Sequence, residues 1–249
     1  MSSLALLAAA ALVVGLSVGS TSIGGVLLVP ALMAWGGLGV HAAAATTLAS
    51  ALFTGTYAAW LYSRRGSVDW ALVWPLCAGG LPGGWLGAAA AAHIAARPLT
   101  AAIGALIVAA SLAALRPPGG TGAARRARAA ERALLVAIGA AAAFCAGLSG
   151  AGGPIFSVPA MLLAGFAPLA AIGAAMGFTI VAAASGTAAN LAAGAIDTTM
   201  LAVVAVFQLA GIAAGVRLAH TLPVAMLRRG AIGLCIVAGA TLVARAVLF

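Results

Sequence analysis

Two long stretches, residues 1–63 and 133–196, contain no Asp, Glu, Lys or Arg. A soluble domain carries roughly a quarter of its residues as charges, whereas only 6% of these 249 are charged and 65% are hydrophobic, with a mean hydropathy of +1.21. Each uncharged stretch has room for two or three crossings of about 20 residues. Lipid offers nothing to unpaired backbone groups, so segments of this length cross it as helices. The expected fold class is an all-α polytopic membrane protein, placed in the cell's inner (plasma) membrane.

The few charges have a pattern. The basic residues are 12 arginines, against Asp69, Glu131 and Asp197. The arginines fall in short connections between apolar segments, where they set orientation through the positive-inside rule rather than binding nucleic acid. Cys77, Cys145 and Cys235 are scattered singly, without the spacing that metal sites or disulfides need. The opening "MSSLALLAAAALVVGLSVGS" lacks a basic leader region and runs on into "IGGVLLVPALMAW", so it reads as a retained membrane segment. No Lys exists to complete an ATP-binding GxxxxGK[ST] loop, and no cofactor is expected.

The chain also repeats. "STSIGGVLLVPA" (residues 20–31) has a counterpart in "SGAGGPIFSVPA" (residues 149–160); Gly24 and Gly25 lie 128 positions before Gly152 and Gly153. "GSVD" and "GAID", ending at Asp69 and Asp197, keep that offset, as do Gly83 with Gly211 and Gly87 with Gly215. Shared landmarks in one order divide the chain into a first membrane repeat (1–115), an Arg-rich cytoplasmic linker (116–132) and a second membrane repeat (133–249). Each half reads as a broken segment (4–35 and 133–164) followed by three helices: 42–62, 70–93 and 99–115, then 169–192, 198–218 and 225–248. If the broken segments cross once, the halves are parallel. If they are re-entrant, the halves are inverted and Arg64, Arg65, the linker, Arg228 and Arg229 share the cytoplasmic side, which the charges favour.

Glycine costs about 1 kcal/mol and proline about 3 kcal/mol in a helix interior relative to alanine. Clustered Gly150, Gly152, Gly153, Pro154 and Pro159 therefore predict a break inside an apolar segment. Broken backbone survives at membrane depth only when buried in protein or lining an aqueous cavity. A helix restarting there points N–H groups and a positive dipole end inward, which suits an anion. The competing reading is close helix packing through glycine. Repetition of the whole Gly-Gly to Val-Pro constellation favours the ligand-lining role.

At these residues the chain resembles the sulfite exporter TauE/SafE family of membrane permeases, which carries a Gly-rich GxGGG-type motif and a Val-Pro step near the start of each half. "GAGGP" (150–154), "VPAML" (158–162) and "GAID" carry it in the second half; "SIGGV" (22–26), "VPALM" (29–33), "AATTL" (44–48) and "GSVDW" carry it in the first. Ser22 and Val26 stand in place of two motif glycines, Pro154 of another, and "AAMGFT" lacks the expected Thr-Ser pair. The resemblance implies transport of sulfite, organosulfonates or related small anions, usually coupled to a proton or cation. Binding roles carry over most directly to Gly24, Gly25, Gly152 and Gly153.

Other candidates come from the residues themselves. Thr46, Thr47 and Ser50 share a little over one helical turn beside the first break, with Ser149 and Thr179 as polar groups in the second half; each can bind an oxyanion or bond to helix carbonyls. Asn190 can hold a ligand or bridge helices. Asp69 and Asp197 are repeat-equivalent and each precedes an apolar segment, where helix capping is the plainer role beside ion coupling. His41, an imidazole of the kind that can serve ion coupling, lies in a connection, where a polar surface residue is the plainer reading. The leading expectation is a secondary transporter of a small oxyanion, not an enzyme, with the site between the repeats. The alternative is an anion channel or a membrane subunit without transport of its own. Expected partners are the anion, the bilayer and a coupling proton or cation, without nucleic acid; a homo-oligomer stays open.

Overall fold

The structure, a computed structural model, describes residues 3–22, 24–66, 68–115, 128–150, 152–166 and 168–218, and individual helical residues between 233 and 246. Positions 116–127 of the expected linker and most of the expected final helix lie outside the described residues. The described elements are all helical: α1 Ser3–Thr21, a 3₁₀ turn Gly25–Leu27, α2 Leu28–Trp35, α3 Val40–Ser63, α4 Trp70–His93, α5 Ala96–Leu115, α6 Arg128–Ser149, α7 Pro154–Leu163, α8 Pro168–Ala192 and α9 Thr198–Leu218. Both expected breaks are present, one between α1 and α2 and one between α6 and α7. Helix α6 starts at Arg128, so part of the stretch read as linker is helical; Glu131 sits in its first turn, where a carboxylate favours the positive helix end.

Four described stretches are long and apolar enough to cross a membrane: Ser3–Ser20, Arg128–Ser149, Ala170–Ala192 and Thr198–Leu218. Helices α3 and α4, 24 residues each, would span about 36 Å, enough for the hydrocarbon core. Their hydropathy is lowered by Thr46, Thr47, Ser50, Thr54 and Thr56 in one and by glycines and prolines in the other. The protein is a multi-pass membrane protein.

Helix packing rests on glycine. A Cβ at Gly83 would collide with the Ala140 carbonyl, and one at Gly87 with that of Phe144, so the α4 and α6 backbones touch. Gly211 and Gly215 of α9 meet Leu12 and Leu16 of α1 in the same way. In reverse, Gly147 meets Gly84, and Gly19 meets Ile212. All three pairs of contacts correspond at the 128-residue offset with the halves exchanged. Lipid gives little hydrophobic drive for helix association, so this intimacy, with its dispersion contacts, holds the pairs together.

These contacts also fix direction. Residue numbers rise together along α4 and α6, along α1 and α9, and along α4 and α8, where Gly80 and Gly84 meet Phe178 and Ala182. Each of those pairs is therefore parallel. Helices α3 and α8 run antiparallel, with Gly55 against Thr179 and Gly186 against Leu48. At the linker end, Ala71 and Trp74 share a surface cleft with Arg128, Glu131 and Arg132. Arg65 donates to the Val216 carbonyl at 3.4 Å and Arg64 lies 4.5 Å over the Trp60 ring. Trp35, Trp60, Trp70 and Trp74 lie near helix ends and are exposed, as interfacial aromatics are.

Both aspartates cap. Asp69 Oδ1 accepts from the Ala71 amide and Asp197 Oδ1 from the Met200 amide, each at 2.9 Å, at the starts of α4 and α9. His41 Nε2 donates to the Ile94 carbonyl at 2.9 Å, tying the start of α3 to the end of α4.

Gly87→Leu should separate α4 from α6 and lower stability by about 3 kcal/mol, read as a lower apparent Tm in detergent. Leu81→Ala, on a side chain of the same helix that is 60% exposed, should stay within about 0.5 kcal/mol of the parent.

Candidate functional site between two helix breaks

Helix α1 makes its last bond when the Ser22 amide donates to Val18 O at 2.9 Å; α6 ends likewise with Gly150 donating to Ala146 O at 2.8 Å. The next step takes the backbone into left-handed space: φ is 63° at Ser22 and 70° at Gly150, then 138° at Gly24 and 75° at Gly152. The chain restarts as the 3₁₀ turn with α2, and as α7, whose Pro154 occupies the first turn where no N–H is needed. The opening N–H groups of such short helices lack partners within the helix and carry the positive end of its dipole.

A small cavity of about 30 Å³ lies between the breaks, room for one or two waters. Ser22, Gly25, Gly150, Gly152 and Pro154 line it from the breaks, Thr47, Ser50 and Thr54 from α3, Met176 and Thr179 from α8, and Gln208 from α9. Among the described residues no charged side chain lines it.

The polar lining divides into two groups. Ser50 Oγ donates to Thr47 O at 2.8 Å, Thr54 Oγ1 to Ser50 O at 3.1 Å, and Thr179 Oγ1 to Ala175 O at 2.7 Å, so these hydroxyl protons are used by their own helices. Ser22 Oγ, Thr47 Oγ1 and Gln208 Oε1 are buried and have no partner. A buried polar atom left alone costs about 1–3 kcal/mol, so three around one cavity mark a place where something else supplies the bonds.

Of the residues expected from sequence, Gly25, Thr47, Gly152 and Thr179 meet at this cavity. The others lie apart. A Cβ on Gly24 would press on Ser17 at 2.7 Å, and one on Gly153 would meet the Phe178 ring. Thr46 Oγ1 accepts from the Asp197 amide at 3.1 Å, and Ser149 Oγ donates to Cys145 O at 2.6 Å. Asn190 lines a second cavity of about 290 Å³ with His41, Ala44, Ala45 and Gly147. The two cavities approach where the Gly150 backbone lies against Ala44, a Cβ at Gly150 falling 2.6 Å from Ala44 Cα. Sequence reasoning missed Gln208. The available signal was that the chain's single glutamine interrupts the apolar run "LAVVAVFQLAG", and an intramembrane polar side chain faces the bundle interior or a cavity.

Residues 7–242 match the family described as Sulfite exporter TauE/SafE. The chain belongs to that family. It is accordingly a membrane transporter of the sulfite and small-anion type rather than an enzyme. Nothing among curated proteins or solved structures matches the chain. For this TauE/SafE protein the break geometry accounts for the motif glycines: Gly150 and Gly152 take left-handed φ, and Ser22 keeps that conformation where the first-half motif has lost a glycine.

Gly150→Ala should be strongly destabilising, because the new Cβ meets Ala44 backbone and left-handed φ at once; a loss of about 3 kcal/mol is expected. Gly152→Ala meets nothing closer than 3.9 Å and should cost only the left-handed penalty of about 1–2 kcal/mol. Thermal unfolding of the two variants side by side checks this order.

Proposed function

We propose that the protein is a secondary transporter of a small oxyanion, sulfite or an organosulfonate, bound between two inverted repeats of the plasma membrane at the central cavity, which at about 30 Å³ has to widen to admit it. The observation that carries this is the convergence of two broken helices on one uncharged, incompletely hydrogen-bonded cavity. Short-helix N-termini and hydroxyls give an anion donors without a fixed counter-charge. Binding without a salt bridge leaves release easy.

The inverted reading is supported by direction. Helices α6 and α8 both run parallel to α4, so the segment between them has to bring the chain back to the side from which α6 entered. That is what a re-entrant segment does. The antiparallel pair α3 and α8, the exchanged glycine contacts, and the parallel α1 and α9 fit the same two-fold relation. With Arg65 beside Val216 and Trp74 beside Arg128, the basic ends of α3, α6 and α9 gather on one side, which the positive-inside rule makes cytoplasmic.

Alternating access then means moving one half against the other around a fixed site. In this reading the larger cavity at His41 and Asn190 is the vestibule opposite the linker, and the Ala44–Gly150 contact closes the path to the centre. Asp69 and Asp197 are engaged as caps, so a coupling proton or cation enters by another route than an acid in the cavity wall.

Proteoliposomes should take up labelled sulfite saturably, respond to an imposed pH or sodium gradient, and show counterflow from a preloaded lumen. Gly152→Leu fills the cavity and should reduce the rate at least about tenfold while the purified protein stays folded. Flux that neither saturates nor shows counterflow would make the protein a channel. Absence of flux with every sulfite and sulfonate tried would remove the oxyanion reading.

A further inference from the structure

Ser22 is the one non-glycine residue with a left-handed φ among the described residues. Its equivalent at the 128-residue offset is Gly150, which takes nearly the same φ without a Cβ. Strain of this kind persists where the surroundings over-determine it, and it clusters at binding sites. Ser22 is only 4% exposed, and its hydroxyl, which could have offset the strain with a bond, has no partner and lines the cavity.

Two further side chains share that condition. Thr47 and Gln208 are each 2% exposed, line the same cavity, and leave Oγ1 and Oε1 unpartnered. Gln208 is held there by backbone contact: a Cβ at Gly15 would meet Gln208 Cα at 2.8 Å, so α9 lies against α1 just before the first break. The residue at the equivalent position of the other half is Gly80, which packs on Phe178. The unpartnered side-chain groups of the cavity therefore come from α3, α9 and the first break, and none of them from α8 or the second break.

We propose that Ser22, Thr47 and Gln208 are the side-chain ligands of the central cavity, and that this neutral set admits singly charged oxyanions and rejects doubly charged ones. The proposal rests on the transporter reading above and deepens it. The cost of moving an ion out of water grows with the square of its charge, about fourfold for a dianion. Its attraction to neutral donors grows only in proportion to charge. Among the described residues no arginine or histidine lines the cavity, so no fixed positive charge makes up the difference. The hydroxyls of Ser22 and Thr47 donate to the anion. The Gln208 amide adds a donor and an acceptor, and the acceptor suits the O–H of a singly protonated oxyanion such as hydrogen sulfite.

The test is uptake of labelled sulfite by proteoliposomes of the full chain at one fixed pH, with unlabelled methanesulfonate or sulfate as competitor. Methanesulfonate should compete at least about tenfold better than sulfate. Ser22→Gly should raise the apparent Tm, because glycine accepts the left-handed φ, and at the same time raise KM for sulfite about tenfold, the effect of one lost hydrogen bond to a charge. Gln208→Leu should raise KM similarly and Gln208→Asn less. Equal competition by sulfate overturns the charge selection. A more stable Ser22→Gly protein with unchanged KM, or a folded Gln208→Leu protein with unchanged KM, overturns the ligand assignment while leaving the transporter reading in place. Lack of any uptake by the parent protein overturns both.

Discussion

Broken backbone cannot face lipid, and the bundle is arranged around that prohibition. Two helices stop inside an apolar stretch and restart a few residues later, exposing amides and carbonyls that hydrocarbon leaves unsatisfied. The remedy is enclosure: α3, α8 and α9 close around the breaks. That enclosure needs helices packed backbone to backbone, which explains why glycine recurs along α1, α4, α6 and α9 in register with partner carbonyls. Larger side chains at Gly83 or Gly211 would hold the walls apart and open the breaks to lipid.

Within this enclosure, hydroxyl groups are divided between those bonded to their own helix and those without a partner. Most serines and threonines near the centre spend their proton on a carbonyl one turn back in the same helix, which costs nothing in design and removes a donor from the cavity. Of those left without a partner, Ser22 and Thr47 meet at the cavity, whereas Ser111, Ser157 and Thr187 lie outside its lining. The site owes its polarity to side chains that the protein declines to satisfy, and its neutrality to the placement of every described arginine at helix ends or connections.

Much of this was legible in the sequence. Gly and Pro clusters located both breaks because their helix penalties are local and large. Asp69 and Asp197 announced the starts of α4 and α9 because a capping carboxylate needs only its own first turn. Other features depend on rotation about a helix axis, which composition does not fix. Thr46 and Thr47 are neighbours in sequence but about 100° apart on α3; one meets the Asp197 amide and the other the cavity. The repeat that identified the breaks also concealed Gln208, since its equivalent is Gly80 and symmetry carries no signal where the halves differ. The start of α6 at Arg128 was hidden by arginines that read as loop while Glu131 favoured a helix end.

The contact between Gly150 and Ala44 has a mechanical character of its own. It is main chain against main chain, with a hydrogen atom and a methyl group as the only side chains, so the surfaces have no teeth to disengage. Two smooth surfaces can slide or part through a small rotation, without any rotamer having to change and without a cluster of interlocked side chains having to unpack. In the transport cycle proposed above, a barrier built this way would be thin and would part without repacking, much as a valve seat differs from a bolt.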